Sequence, residues 1–176
     1  MRDVIAILPT EITGFGIGSE VYYKDKVIID KRTCDKFLRD LLKKESISEK
    51  YMKENMREIC QVKRNLPWCV NAYNVFFAFK YRNSTYDRQK RGFVNCFFVK
   101  GVDGSDIVLS NNMRISTLSR EKSLRQNLSH ARKVMYMAIA KSLYLEKTRG
   151  KEIHIHSLDF LFWLTFLIIW ILKVYL

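Results

Sequence analysis

Two apolar runs rich in aromatic residues, 75–79 and 92–99, stand on either side of the polar segment 80–91. Aromatic and β-branched runs around a polar stretch predict a long-loop hairpin. Ahead of it, residues 4–8 form a short strand candidate closed by Pro9, and residues 20–23 and 27–30 are two more around Lys24-Asp25-Lys26. Phe37, Leu38, Leu41 and Leu42 recur at helical spacing behind Thr33, a capping residue type. A second helix is predicted from Ser46-Ile-Ser-Glu49, the spacing of a capping box, with Met52, Met56 and Ile59 following at helical intervals. Asn65-Leu66-Pro67 ends it, and Trp68-Cys69-Val70 with a turn over residues 71–74 leads into the hairpin.

Beyond the hairpin, Gly101-Val-Asp-Gly-Ser-Asp106 is a turn-rich link. Residues 107–109 and 113–115 around Ser110-Asn111-Asn112 predict a tight hairpin, because asparagine tolerates the left-handed backbone of such turns. Ser119 is positioned to cap the longest predicted helix, residues 120–146, whose apolar face steps through Leu124, Leu128, Ala131, Met135, Ala138, Ile139, Ser142 and Leu143. The fold class expected is α+β: a mostly antiparallel sheet with hairpins, followed by a long amphipathic helix and a hydrophobic C-terminal helix. The chain is read as one domain over residues 1–150 and a tail over 151–176.

Charge changes this picture most. Over 176 residues, 31 Lys and Arg face 18 Asp and Glu, a formal net charge of +13 that points to a polyanionic partner. Asp159 and Lys173 are the only charged residues from 153 onward, so the excess belongs to the body and not the tail. It concentrates in two places. The hairpin loop carries Lys80, Arg82, Arg88, Lys90 and Arg91 against Asp87, with Tyr81 and Tyr86 interleaved, and the long helix carries Arg120, Lys122, Arg125, Arg132, Lys133 and Lys141 largely off its apolar face. Arg82, Arg88, Lys90 and Arg91 are the candidates for groove or phosphate contacts on duplex DNA. Arg120, Lys122, Arg125, Arg132 and Lys133 are the candidates for phosphate contacts that set register.

Catalytic signatures are weak. Gly14-Phe-Gly-Ile-Gly18 lacks a third glycine at Ser19 and reads as a glycine-rich turn, not a dinucleotide fingerprint. No nucleophile elbow, P-loop or HExxH occurs, and His154 with His156 lacks a nearby third ligand for zinc. Asp103 and Asp106 come nearest to a paired carboxylate, and their turn context reads as solvated loop acids; a metal-dependent nuclease built on them is the third reading after DNA binding and membrane tethering. No enzyme activity, metal or cofactor is expected. Cys34, Cys60, Cys69 and Cys96 contain no CxxC pair and the N-terminus has no secretory apolar run, which together suggest a cytoplasmic protein with reduced thiols.

Several stretches resemble the competence transcription factor ComK family: Val4-Ile-Ala-Ile-Leu-Pro-Thr-Glu-Ile12, the Arg32-Thr-Cys34 element, the aromatic strand 75–79 with its Ser/Thr-containing loop and the strand 92–99, and Ile107-Val-Leu-Ser-Asn-Asn-Met-Arg-Ile-Ser116 with the helix bearing Asn127 and Arg132. The resemblance covers roughly residues 4–146 and lies in the order of elements more than in any single motif. It implies a transcriptional activator of DNA-uptake genes that binds pairs of A/T-rich boxes as a homodimer or tetramer, bends the duplex through its minor groove and works at the nucleoid. It also implies control by an adaptor that delivers the activator to a protease.

Two stretches depart from the family: a helical pair replaces its Gly-rich, Tyr-containing segment, and the C-terminus is apolar in place of the adaptor-recognition segment. Residues 160–172 are apolar except for Thr165 and would span about 20 Å as a helix against a hydrocarbon core of about 30 Å. A membrane anchor, a packed core or oligomer helix, and an altered terminus of a formerly soluble protein all stay open for it. The alternative to the DNA reading is a membrane-tethered basic protein binding anionic lipid or an acidic partner.

Overall fold

The computed structural model describes residues 4–84, Asp87 and residues 89–148. Two compact units divide the chain, Met1–Lys141 and Ser142–Leu176. The expected hydrophobic C-terminal helix and the tail readings lie outside the described residues.

The first unit is built on a six-stranded antiparallel sheet. In chain order its strands are β1 (Val4–Ile12), β2 (Gly16–Tyr23), β3 (Val27–Asp30), β4 (Trp68–Asn71), β5 (Asn74–Lys80) and β6 (Arg91–Asn95). They lie side by side as β3-β2-β1-β6-β5-β4. Helices α1 (Cys34–Lys44) and α2 (Glu49–Cys60) connect β3 to β4. A three-stranded sheet follows, β7 (Val99–Asp103), β8 (Asp106–Leu109) and β9 (Arg114–Ser116), and then the long helix α3 (Glu121–Thr148). The α+β class, the mostly antiparallel sheet and the long helix are therefore as the hydrophobic pattern predicts.

Burial explains the pattern. Both alternating sets along β5, Val75, Phe77 and Phe79 on one side and Phe76 and Ala78 on the other, are buried, so the sheet is covered on both faces at this strand. Phe37, Leu38, Leu41 and Leu42 of α1, Met52 and Met56 of α2, and Leu124, Leu128, Ala131, Val134 and Met135 of α3 join the same core. On α3 the buried stripe thins beyond Met135: Ala138 and Ile139 are half-buried and Leu143 is exposed.

Four local expectations change. Pro9 does not close the first strand, because its Cα is paired with Ser19 and β1 continues to Ile12. Tyr23 N–H donates to Lys26 O, so hydrogen-bonded pairs along β2 alternate in a way that turns the Pro9 nitrogen away from β2, toward an edge where β6 pairing has ended at Ile7. The missing donor is not needed there.

The run 92–99 is not one strand. Asn95 breaks it: its side-chain oxygen accepts from the Phe97 amide, starting a single 3-10 turn over Cys96–Phe98, and its amide donates to Val4 O at 3.2 Å and Tyr73 O at 2.9 Å. The chain leaves the large sheet at that residue and enters the small one.

Ser46 does not begin a capping box. It sits at φ 56°, in the turn that ends α1, where its N–H donates to Lys43 O, and α2 starts after Ser48 with Glu49 paired to Lys53 and Arg39. Thr33 does cap α1. Ser119, expected to cap α3, turns its hydroxyl to β5 instead and accepts from the Lys80 amide at 2.8 Å.

Candidate nucleic-acid interface

Strand β4 is short, and its pairing with β5 covers only the stretch from Asn74 to Phe76. Past that point the outward backbone groups of β5 need other partners, since a buried unpaired amide or carbonyl is costly. The link into α3 and α3 itself supply them. Asn127 donates to Ala78 O at 3.0 Å, Leu118 N–H donates to Lys80 O at 2.7 Å, and Ser119 accepts from Lys80 N–H. The start of α3 is thereby stitched to the end of β5.

That stitch joins two basic segments far apart in sequence. Lys80 is the Cα partner of Arg91 across β5 and β6, and Lys90 O accepts from the amides of Tyr81 at 2.8 Å and Arg82 at 3.3 Å. Lys80, Lys90, Arg91, Arg120 and Lys122 are all exposed around this end of the sheet, and none has an ion-pair partner among the described residues. Like charges placed directly opposite on neighbouring strands repel, so the Lys80–Arg91 pair is held at a cost to the isolated chain.

Three of the other candidate cations have internal partners. Arg82 pairs with Asp87 at 2.8 Å and reaches Gln89 O. Arg125 pairs with Glu121 and donates to Val102 O at 2.8 Å; Arg132 donates to Val99 O at 2.8 Å and Lys100 O at 3.2 Å. These two pin β7 against α3. Lys133 is exposed but about 20 Å along the helix from Arg120, beside Cys60 and His130, where burial and then Lys133 push the imidazole below its ordinary value. Arg88 and Tyr86 lie outside the described residues.

The loop between β5 and β6 is braced by acid and aromatic groups. Asp87 is held down to about 2 first by the Ser84 hydroxyl, then by the Gln89 amide and Arg82. Tyr81 packs edge-on against Phe79, with ring centroids 6.3 Å apart. Asp103 and Asp106 flank Arg114, at 2.7 and 3.6 Å, so their carboxylates face a guanidinium. No group of three metal-ligating side chains occurs among the described residues.

Sequence reasoning omitted Lys80 from the contact set and read Ser119 as a cap. The signal that unites them is tertiary, a bond between residues 39 apart in the chain. No helix among the described residues is long and apolar enough to cross a membrane. No family model, curated protein or solved structure matches the chain.

Proposed function

We propose that the chain binds A/T-rich duplex DNA through the basic end of its large sheet and acts at the nucleoid as a ComK-like transcriptional activator without catalysing a reaction. One observation carries the DNA-binding part: five exposed cations from two segments, Lys80, Lys90, Arg91, Arg120 and Lys122, are gathered at one end with no acid among the described residues neutralising them. Such a cluster attracts a polyanion and gains affinity by releasing counterions. The preference for A/T and the gene-switching role rest on the resemblance in the element order. A narrow A/T minor groove concentrates negative potential and draws in arginine, so shape alone would carry the preference.

The test is a pair of variants. Arg91→Ala with Arg120→Ala removes two exposed contacts, and the slope of log affinity against log salt is expected to fall by about 2, with affinity lower by one to two orders of magnitude at about 0.1 M salt. Arg132→Ala, whose bonds are internal, is expected to lower stability and leave the slope unchanged. Equal slopes for wild type and the double variant remove this end from the interface. Binding by the same residues to anionic vesicles, without binding to duplex, would favour the lipid alternative.

A further inference from the structure

Three aromatic rings form a contiguous row at the end of β5 and β6 opposite the basic one. Tyr73, Phe97 and Phe98 meet edge to face, with ring centroids 5.9 Å apart for the first pair and 5.2 Å for the second. Tyr73 is 57 % exposed and Phe97 46 %. A single exposed ring needs no explanation, but a row of them marks a surface for a partner.

Hydrogen bonds hold the row in place. Asn71 Oδ1 accepts from the Tyr73 amide at 3.1 Å, and Tyr73 O accepts from the Asn95 side-chain amide at 2.9 Å. The same Asn95 side chain accepts from the Phe97 amide at 3.1 Å, so one buried residue fixes the backbone under both exposed rings. Phe98 O accepts from Ser110 N–H at 2.8 Å and from its hydroxyl at 3.1 Å, which sets the turn between β8 and β9 beside the third ring. Rings fixed in this way lose little freedom when a ligand stacks on them.

Cations and amide donors border the rings. The Lys24 ammonium lies 5.4 Å from the Phe98 ring centroid. Lys100, exposed two residues beyond Phe98, donates to Asn112 Oδ1 at 3.4 Å and has no carboxylate partner among the described residues. A cleft of about 210 Å³ is lined by Ile5, Lys24, Phe98, Leu109, Ser110 and Asn111. Asn111 engages its carbonyl oxygen with the Met113 amide at 3.1 Å, so its NH₂ group keeps two donors. Rings, cations and donors together suit a nucleotide, which offers a π face, a phosphate and ring carbonyl acceptors. An apolar protein side chain would use the rings and leave the cations and donors unanswered.

We propose that this row binds single-stranded nucleic acid, with unpaired bases stacked on Tyr73 and Phe97, one pyrimidine in the cleft beside Phe98 and Asn111, and phosphates near Lys24 and Lys100. A duplex keeps its base faces inside its own stack, so the row selects strands whose bases are unpaired. Asn74 and Lys80 stand at opposite ends of β5, about 20 Å apart. The site is therefore separate from the basic end and does not rest on the duplex reading.

Fluorescence anisotropy of the full-length chain at about 0.05 M salt tests it, with oligothymidylate and oligouridylate of about 12 nucleotides and an abasic strand of the same length. The phosphates are equal and only the bases stack, so both base-bearing strands are expected to bind about tenfold or more tightly than the abasic one. Tyr73→Ala and Phe97→Ala are each expected to weaken oligothymidylate binding about tenfold, whereas Tyr73→Phe and Phe97→Tyr, which keep the ring, hold it within about twofold. Arg91→Ala with Arg120→Ala is expected to preserve the advantage over the abasic strand, which separates this site from duplex binding. No binding of either base-bearing strand at about 100 μM protein, equal binding of base-bearing and abasic strands, affinity unchanged by both alanine variants, or an advantage lost with Arg91 and Arg120 would each overturn the proposal.

Discussion

Asn95 does more for this fold than its residue type advertises. It is fully buried, donates to the backbone of β1 and of the β4–β5 turn, and accepts from the amide that starts the 3-10 turn. Asn95→Ala would take these partners from two carbonyls and one amide, the Val4 carbonyl among them buried. The expected cost is about 3 kcal/mol, read as a lower midpoint in urea unfolding. The exposed cations are the opposite case. Lys80, Lys90 and Arg91 make no described side-chain bond, and their removal is expected to change binding and not stability.

Arg32 joins two elements, since its guanidinium lies between Asp30 of β3 and Asp40 of α1 at 2.6 and 3.0 Å, and its flat face rests on Phe37. The bonds from Arg32 hold both carboxyls below their ordinary value of 3.8. A depressed folded value means that each contributes stability fully present above the unfolded value, and that this stability is lost as pH falls through the folded one. Wild-type unfolding is therefore expected to show an acid-labile component below about pH 4. Arg32→Ala should remove much of that component, and a stability profile over pH 2–5 that keeps its shape in the variant would contradict the assignment.

The same elements show what the hydrophobic pattern makes legible. Much of β1, β2 and β5, α1 and the core face of α3 follow from apolar spacing, because burial selects for it directly. The break at Asn95 does not, because a buried asparagine inside an aromatic run has the composition of a strand and only its three partners reveal the turn. Ser46 misleads for a related reason: the capping-box spacing is present, but the left-handed turn closing α1 uses that residue first.

At the scale of the molecule, the ends of β5 and β6 with the start of α3 gather cations from segments separated in the chain. The individual basic residues are plain in the sequence, and a net charge of +13 is enough to predict a polyanion. Their assembly is not, because it depends on Leu118 and Ser119 completing the hydrogen bonds of β5 where β4 stops short. Arg125 and Arg132 look equally available in sequence and are instead tied to the carbonyls of β7.

The central claim is that the basic end reads duplex DNA by groove shape. Fluorescence anisotropy of the full-length chain with two duplexes, one carrying paired A/T-rich boxes and one G/C-rich, across a salt series tests it most directly. The account predicts a log–log salt slope of several units, and an advantage of at least about tenfold for the A/T duplex at every salt concentration. Equal and weak binding to both duplexes would contradict it and leave the cluster as a patch for polyanions in general.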